Sequence, residues 1–417
     1  MEKSGKFRLT SLERNWILYD VGNSAFVLMV ATLIPIFFNA LAAAGGLSSV
    51  EYLAYWGYAS SAVTIITAVL SPILGTVADT KGFKKPIFIL CVFVGIVGCC
   101  AMGAVSAWLP FLVIFVIAKV GFSGSLVFYD SMLSDVTTPE RMDEVSSRGY
   151  AWGYIGSCVP FVVCLGLVLG AGSIGISQMT ALNLALLLTA AWWLLTTLPL
   201  LKSYKQLYYV EVEKHAVRQS FARIGHTLRH LPEDKQVFWF LLAFFCYIDG
   251  VYTIIDMATA YGTALGLDTT GLLLALLVTQ IVAFPSALVF GRLSNKYPSA
   301  KLIPVCIAAY AGIAVFAFFL TRQWQFWVLA VIVGMFQGGV QALSRSHFAK
   351  IIPPEKSGEY FGLFDICGKG ASFLGTMIVS VGSQLTGSAN VGVGSLFVLF
   401  IVGFVLFRVS CRQSETA

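Results

Sequence analysis

Charge is what this 417-residue chain has least of. Asp, Glu, Lys and Arg make up 12% of it, against about 25% in a soluble domain. So thin a polar coat cannot cover a water-soluble globule of this size, and the net charge of +6 is no nucleic-acid signal. Cysteine pairing is missing too. The nine cysteines form no Cys-x-x-Cys motif and fall in apolar segments or the short tail, which makes them small core residues rather than disulfides or metal ligands. No phosphate-cradling Gly-x-x-x-x-Gly-Lys-Ser/Thr loop occurs, so ATP is not a direct energy source. No cluster of His, Asp or Cys near one membrane face marks an embedded enzyme, and nothing calls for a cofactor or metal. His215, His226 and His230 share one polar stretch and read as a solvated face rather than a metal site.

What the chain does have is apolar length. Hydrophobic residues are 58% of it, and runs of about 20, enough to cross a bilayer, recur throughout. The expected fold is an all-α integral membrane protein of twelve transmembrane helices, at 15–41, 54–78, 86–106, 109–134, 149–171, 179–201, 237–261, 271–295, 302–320, 325–348, 360–386 and 391–409. The first run is longer than the ~7–15 residues of a signal-peptide core, so it reads as a retained helix. The one long polar stretch, 202–236, divides the chain into bundles of six, at 1–201 and 237–417.

Basic residues set the orientation. Of 27 Lys and Arg, all but Arg322, Lys119 and Lys369 lie in the N-terminal segment, the tail or the connections on one side. That side is expected to be cytoplasmic, together with both termini and the middle stretch. There, Phe221, Ile224, Leu228 and Leu231 recur at helical spacing with basic residues opposite. This is either an amphipathic helix on the inner membrane surface or a charged linker helix.

The halves resemble each other. After the second span the chain reads GTVADTKGFKK (75–85), and after the eighth GRLSNKYPSAK (291–301). After the fourth it reads DSMLSDVTTPE (130–140), and after the tenth RSHFAKIIPPE (345–355), each followed by an aromatic-glycine helix start, GYAWGY (149–154) and YFGLF (360–364). Such repeats build many transporters. Asp130 and Arg345 hold matching positions, so gating or pairing between the halves is expected of them. Gly75 and Gly82 in the first loop permit close packing and a tight turn, while Lys84 and Lys85 anchor it on the basic side.

Charges inside spans cost at least ~2.5–3.5 kcal/mol each and mark function or pairing. They are Asp20, Lys119, Asp249, Asp256, Asp365 and Lys369. Asp365 and Lys369 are four apart on one helical face, as in a structural ion pair. Four acids against two bases leave a surplus, and a buried acid lacking a cation tends to hold a proton. A second tier of polar and aromatic residues comprises Asn23, Tyr129, Tyr154, Tyr247, Tyr252, Gln280, Gln337 and Gln341. As a set they suit a small polar or zwitterionic solute. Gln337 and Gln341 share a face beside Gly338 and Gly339, and Trp152 and Phe336 could stack on an apolar portion.

The loop Gly75, Asp79, Gly82, Lys84, Lys85, with its worn second copy, resembles the signature of the major facilitator superfamily. NWILYDVGNSAF (15–26) and SSRGYAWGYIG (146–156) are similar to the vacuolar amino-acid effluxers, named for a fungal autophagy-related protein, and to their bacterial relatives. The resemblance implies a permease that alternates access by rocking its halves, with amino acids the substrate class of the fungal branch. It implies that Asp79 latches onto the start of the eleventh span. It also implies that spans one, four, seven and ten line the cavity, so that Asp20, Lys119 and Asp249 would face it. On that basis Asp249 or Asp20 is expected to carry a coupling proton, and Lys119 to attract a substrate carboxylate; pairing of Asp249 with Lys119 is the structural alternative. An exporter of drug-like amphipaths is the runner-up within this fold, ahead of a channel, an embedded enzyme or a scaffold. A monomer in a bacterial inner membrane is expected.

Overall fold

The computed structural model describes residues 7–211, 225–227 and 229–416. Within helices a few side chains, those of 369–373 among them, lie outside the description. The chain is built almost wholly of helix. The N-terminal half comprises α1 (Ser11–Ala31), α2 (Leu33–Ala44), α3 (Ser49–Ala78), α4 (Lys84–Met102), α5 (Trp108–Ser131), the single turn α6 (Leu133–Val136), α7 (Met142–Leu169) and α8 (Gln178–Ser203). The C-terminal half comprises α9 (Lys235–Ala264), α10 (Thr269–Leu293), α11 (Ser299–Phe318), α12 (Gln323–Ile351), α13 (Ser357–Thr386), α14 (Ala389–Gly394) and α15 (Phe397–Thr416). Eleven described segments are long and apolar enough to cross a membrane. With α13 they make the twelve spans of the expected fold, two six-helix bundles.

Two spans are broken. The first is one apolar run in sequence, yet α1 stops at Ala31 and α2 resumes after Thr32 (φ −131°, ψ −76°). Pro35 explains the break, because its ring lacks an N–H and crowds the carbonyl four residues earlier, at Ala31. The twelfth span is likewise divided between α14 and α15. The turn between α3 and α4 depends on Gly82, whose φ of +78° is strained for any residue bearing a Cβ.

Lipid tails are as apolar as leucine, so packing inside each bundle relies on fit and on small residues. In the N-terminal half Trp16 stacks on Tyr129 with ring centroids 4.3 Å apart, and Phe26, Phe122 and Trp193 form a second aromatic knot. Leu90, Phe93, Ile65 and Leu195 are exposed, as lipid-facing residues are. All nine cysteines are free thiols. In the middle stretch Phe221, Ile224, Leu228 and His215 lie outside the described residues. Leu231 opens a short 3-10 turn, Leu231–Glu233, and the rings of His226 and His230 stack at 3.9 Å.

The halves meet along α3 against α13 and along α7 against α10 and α12. The polar contacts between halves described below gather toward one end, where the N-terminal segment, the 79–83 turn and the segment after α8 lie. We call it the basic end.

Candidate functional site

At the basic end Asp79 caps a helix of the opposite half. The amides of Gly358 and Glu359, at the start of α13, donate to its two carboxylate oxygens at 2.7 and 2.8 Å. A carboxylate at a helix N-terminus satisfies orphan amides and meets the positive end of the helix dipole. Lys84 sits beside it, 3.7 Å from Asp79 and 3.5 Å from Asp135, and donates to Ser357 at 2.8 Å. Burial pushes the Asp79 carboxyl up to about 7, against the opposing pull of Lys84 and the two amides. Lys85 instead donates to the Tyr204 carbonyl at 3.4 Å, which holds the loop to its own half.

Asp135 is a residue that the sequence motifs do not single out. It accepts the Tyr204 hydroxyl at 2.6 Å and the amides of Leu207 and Tyr208 at 2.9 Å each. It thereby straps the segment after α8 under the Asp79 loop, where Thr80 and Val210 form a β-bridge. The worn loop makes the pseudo-equivalent contact: Asn295 donates to Glu144, at the start of α7, at 2.6 Å. An amide has replaced the acid, and a side chain has replaced the helix amides.

Between these two contacts Arg345 of α12 enters the N-terminal half. It is 2% exposed, and its guanidinium lies 2.9 Å from Asp130 and 3.8 Å from Asp20. It donates to the Ser146 hydroxyl at 2.9 Å and the Ser146 carbonyl at 3.0 Å. The rings of Trp16, Tyr129 and Tyr150 surround it at 4.7, 5.4 and 4.3 Å, distances at which aromatic faces attract a cation. Nearby, Asp143 accepts Ser346 at 2.6 Å and pairs with Lys350 at 2.6 Å, and Tyr154 donates to Gln341 at 2.6 Å.

The other expected site residues divide. Asp20 lies in the Arg345 socket, 6% exposed, not on an open cavity wall. Asn23 is buried and donates to the Tyr19 carbonyl of its own helix. Asp249 is displaced from its expected place: it is fully buried inside the C-terminal bundle, accepting the Gly375 amide at 2.9 Å and Thr253 at 3.3 Å. The acid that feels Lys119 is Asp256, two turns farther along α9 and exposed. The ammonium of Lys119 lies 4.7 Å from the centre of the Phe122 ring. Asp365 accepts Ser71 of the opposite half at 2.7 Å, while the Lys369 side chain lies outside the described residues. Tyr252 is half-buried. Gln337 is buried, Tyr247 bonds Ser344 at 2.6 Å, and Trp152 packs edge-on to Phe284. Gln280 is half-buried on α10, and Phe336 tilts against Phe290. Gly338 and Gly339 admit helix neighbours, Ala287 and Phe290.

Asp143 escaped the motif reading, and Ser146 and Tyr150, though inside the 146–156 motif, received no role there, because each gains meaning only from a residue of the other half. Inside the C-terminal bundle a separate apolar pocket is lined by Ile254, Met257, Leu276, Phe326, Val333 and Val379 among others, with no charged group.

The latch makes a measurable forecast. Asp79→Ala removes the acceptor of two helix amides and a partner of Lys84. It should weaken closure of the basic end by about 1–3 kcal/mol, the cost of leaving buried donors unpaired. Alkylation of a cysteine placed at Ser147, buried beside Gly291 at the interface, should accelerate accordingly; an unchanged rate would show that Asp79 holds nothing shut.

Two six-helix bundles packed across one junction, with charged groups of both halves beside it, have the major facilitator architecture. More narrowly, the chain belongs to the family described as "Vacuole effluxer Atg22 like", whose model matches residues 11–416. It is 41% identical over 414 residues to the uncharacterized MFS-type transporter YxiO of Bacillus subtilis (strain 168), covering 98% of this chain and 97% of that one. It is 26% identical over 304 residues to autophagy-related protein 22 of Saccharomyces cerevisiae (strain ATCC 204508 / S288c), covering 63% of this chain and 57% of the yeast protein. The match thus spans about half the length of the fungal relatives. Solved structures share the fold at low identity. The human organic anion transporter MFSD10 superposes with TM-score 0.72 at 14% identity, covering 95% of this chain and 99% of that one. The transporter FucP in its outward conformation gives 0.71 at 16%, covering 96% and 97%.

Proposed function

We propose that this protein is a secondary active transporter that moves a small polar or zwitterionic solute, an amino acid or small peptide, by alternating access coupled to protons. The observation that carries the reading is the sided distribution of contacts. Asp79, Arg345, Asp143 and Glu144 tie the halves together at the basic end, while Lys119 and Asp256, from opposite halves, lie beyond that junction. Lys119 suits a carboxylate and Asp256 an ammonium group, so one zwitterion could engage both halves. The positive-inside pattern supports a cytoplasmic basic end, which makes this conformation outward-facing. A bacterial inner membrane suits the likeness to the Bacillus protein. The limits proposed for the two bundles are 1–201 and 237–417, with the polar stretch 202–236 between them. An amphipath exporter is the second reading, favoured by the apolar pocket in the C-terminal bundle.

The test is concentrative uptake of labelled amino acids into proteoliposomes. Uptake should collapse with an uncoupler. In Lys119→Gln and Asp256→Asn it should fall at least about tenfold, as expected for losing a charge-assisted contact of ~1.5–3 kcal/mol. Uptake that survives the uncoupler would remove the proton, and uptake unaffected by both substitutions would remove the zwitterion site.

A further inference from the structure

We infer that the segment after α8, residues 204–211, is a working part of the gate: it sets the shape of the Asp79 loop before the halves meet, with Gln206 as the positioning residue. The inference rests on the alternating-access reading above. Its ground is an account of the loop's backbone. Helix α3 ends at Ala78, and a helix end leaves carbonyls that no amide of its own can take. Those of Gly75 and Val77 accept the amides of Asp79 and Thr80, at 3.1 Å each. Those of Ala78 and Asp79 are taken from outside, by the Gln206 side-chain amide at 3.1 Å and the Val210 backbone amide at 2.8 Å.

The amides of the turn are satisfied in the same way. Lys81 donates to the Val210 carbonyl at 3.3 Å, Gly82 to the Gln206 side-chain oxygen at 3.0 Å, and Phe83 to the Thr80 carbonyl at 3.1 Å. Gln206 thus spans the turn as a peptide group would, donating to Ala78 on one side and accepting from Gly82 on the other. The segment that carries it is anchored in turn. The Tyr204 hydroxyl and the amides of Leu207 and Tyr208 all donate to Asp135, and the Lys81 ammonium lies 4.8 Å from the centre of the Tyr209 ring. The worn loop is held differently: its amides at Asn295, Lys296 and Tyr297 return to carbonyls of Arg292 and Leu293 within its own turn. The loop that is strapped is the one that caps a helix of the opposite half.

All of these contacts join the strap to the N-terminal bundle, so they survive when the halves part. Their effect falls on the open form. A loop already held in the capping shape presents Asp79 to the Gly358 and Glu359 amides without further ordering. A loose loop must be ordered at every closure, and fixing one backbone residue costs a factor of about 5–30 in the equilibrium. Losing the strap should therefore move population toward the open form, and only while Asp79 is there to be positioned. On this account the start of the stretch between the halves is no plain linker, and Gln206 acts on closure through Asp79.

The experiment uses the full chain in lipid nanodiscs, with the native cysteines replaced and a single cysteine at Ser147, whose alkylation rate reports opening of the basic end. Gln206→Ala should raise that rate about tenfold, within the range for one residue left to be ordered. Val210→Pro, which removes the amide donated to Asp79, should act alike. The factor should vanish in an Asp79→Ala background, where no carboxylate remains to be positioned. It should persist in Arg345→Lys, which loosens the same end through a separate contact. An equal factor in Asp79→Ala, or its loss in both backgrounds, overturns the positioning role. Unchanged rates in Gln206→Ala and Val210→Pro, beside a faster one in Asp79→Ala, overturn the strap while sparing the transport reading. A rate indifferent to Asp79→Ala and Arg345→Lys as well would end both.

Discussion

Replacing Arg345 with leucine should abolish transport and leave the basic end unable to stay shut. The side chain carries the positive charge of a socket that belongs to the other half, within 2.9 Å of Asp130 and 3.8 Å of Asp20. Removing one partner of a buried ion pair costs about 3–5 kcal/mol, because the remaining charge is stranded. Here two acids are stranded only while the halves are together, so the cost falls on the closed form and not on the fold of either bundle. At 1.36 kcal/mol per decade the closed-to-open ratio should drop by about two to four decades. Alkylation of a cysteine at Ser147 should speed up to its open-state limit while thermal unfolding changes little. Arg345→Lys keeps the charge but loses the fork that reaches Asp130 and Ser146 together, so it should fall between the two. A wild-type alkylation rate in Arg345→Leu would mean that the socket is incidental to closure.

Gly75→Leu should have an effect of similar size for a different reason. At the crossing of α3 and α13 the two backbones touch. A Cβ at Gly75 would run into the Gly358 carbonyl, one at Gly358 would sit 2.7 Å from an Asp79 oxygen, and one at Gly362 would sit 2.6 Å from the Pro72 Cα. Backbone cannot swing aside as a side-chain tip can, so the helices must separate and Asp79 must lose its cap on α13. Overpacking of this kind costs about 1–3 kcal/mol or more, added to the lost hydrogen bonds. The pseudo-equivalent Gly291→Leu should be milder, since a Cβ there meets the Ser147 Cβ at 2.9 Å and no backbone atom nearer than the Glu144 Cα at 3.6 Å, so a smaller shift of the helices relieves it. Uptake and Ser147 alkylation, compared in the two variants, should rank Gly75 well above Gly291. Equal effects would show that the first loop carries no special share of closure.

The pairing of Asp130 with Arg345 was legible before any coordinates, because both occupy the same place in two copies of one pattern. Asp79 was legible through its loop motif. Asp249 was not. It lies seven residues before Asp256, so helical period places both acids on nearly one face of α9. Period says nothing of depth: the first acid is sealed against Gly375 of α13, and the second, two turns on, is exposed. Asp365 shows the same limit of spacing: its distance from Lys369 points to a partner on its own helix, and the structure adds Ser71 of the other half, which no spacing could indicate.

By itself the sequence determined the number of spans, the side that holds the basic residues and the doubling of the pattern. The reason is that a bilayer makes each helix satisfy its own backbone and parks its charges at the ends, so these properties are local. That Asp20 joins Asp130 at Arg345, which acid faces Lys119 and which end of the molecule is tied shut were decided by tertiary structure alone. Those choices depend on how two bundles lean on each other, and the free energies that set the lean come from contacts hundreds of residues apart in the chain.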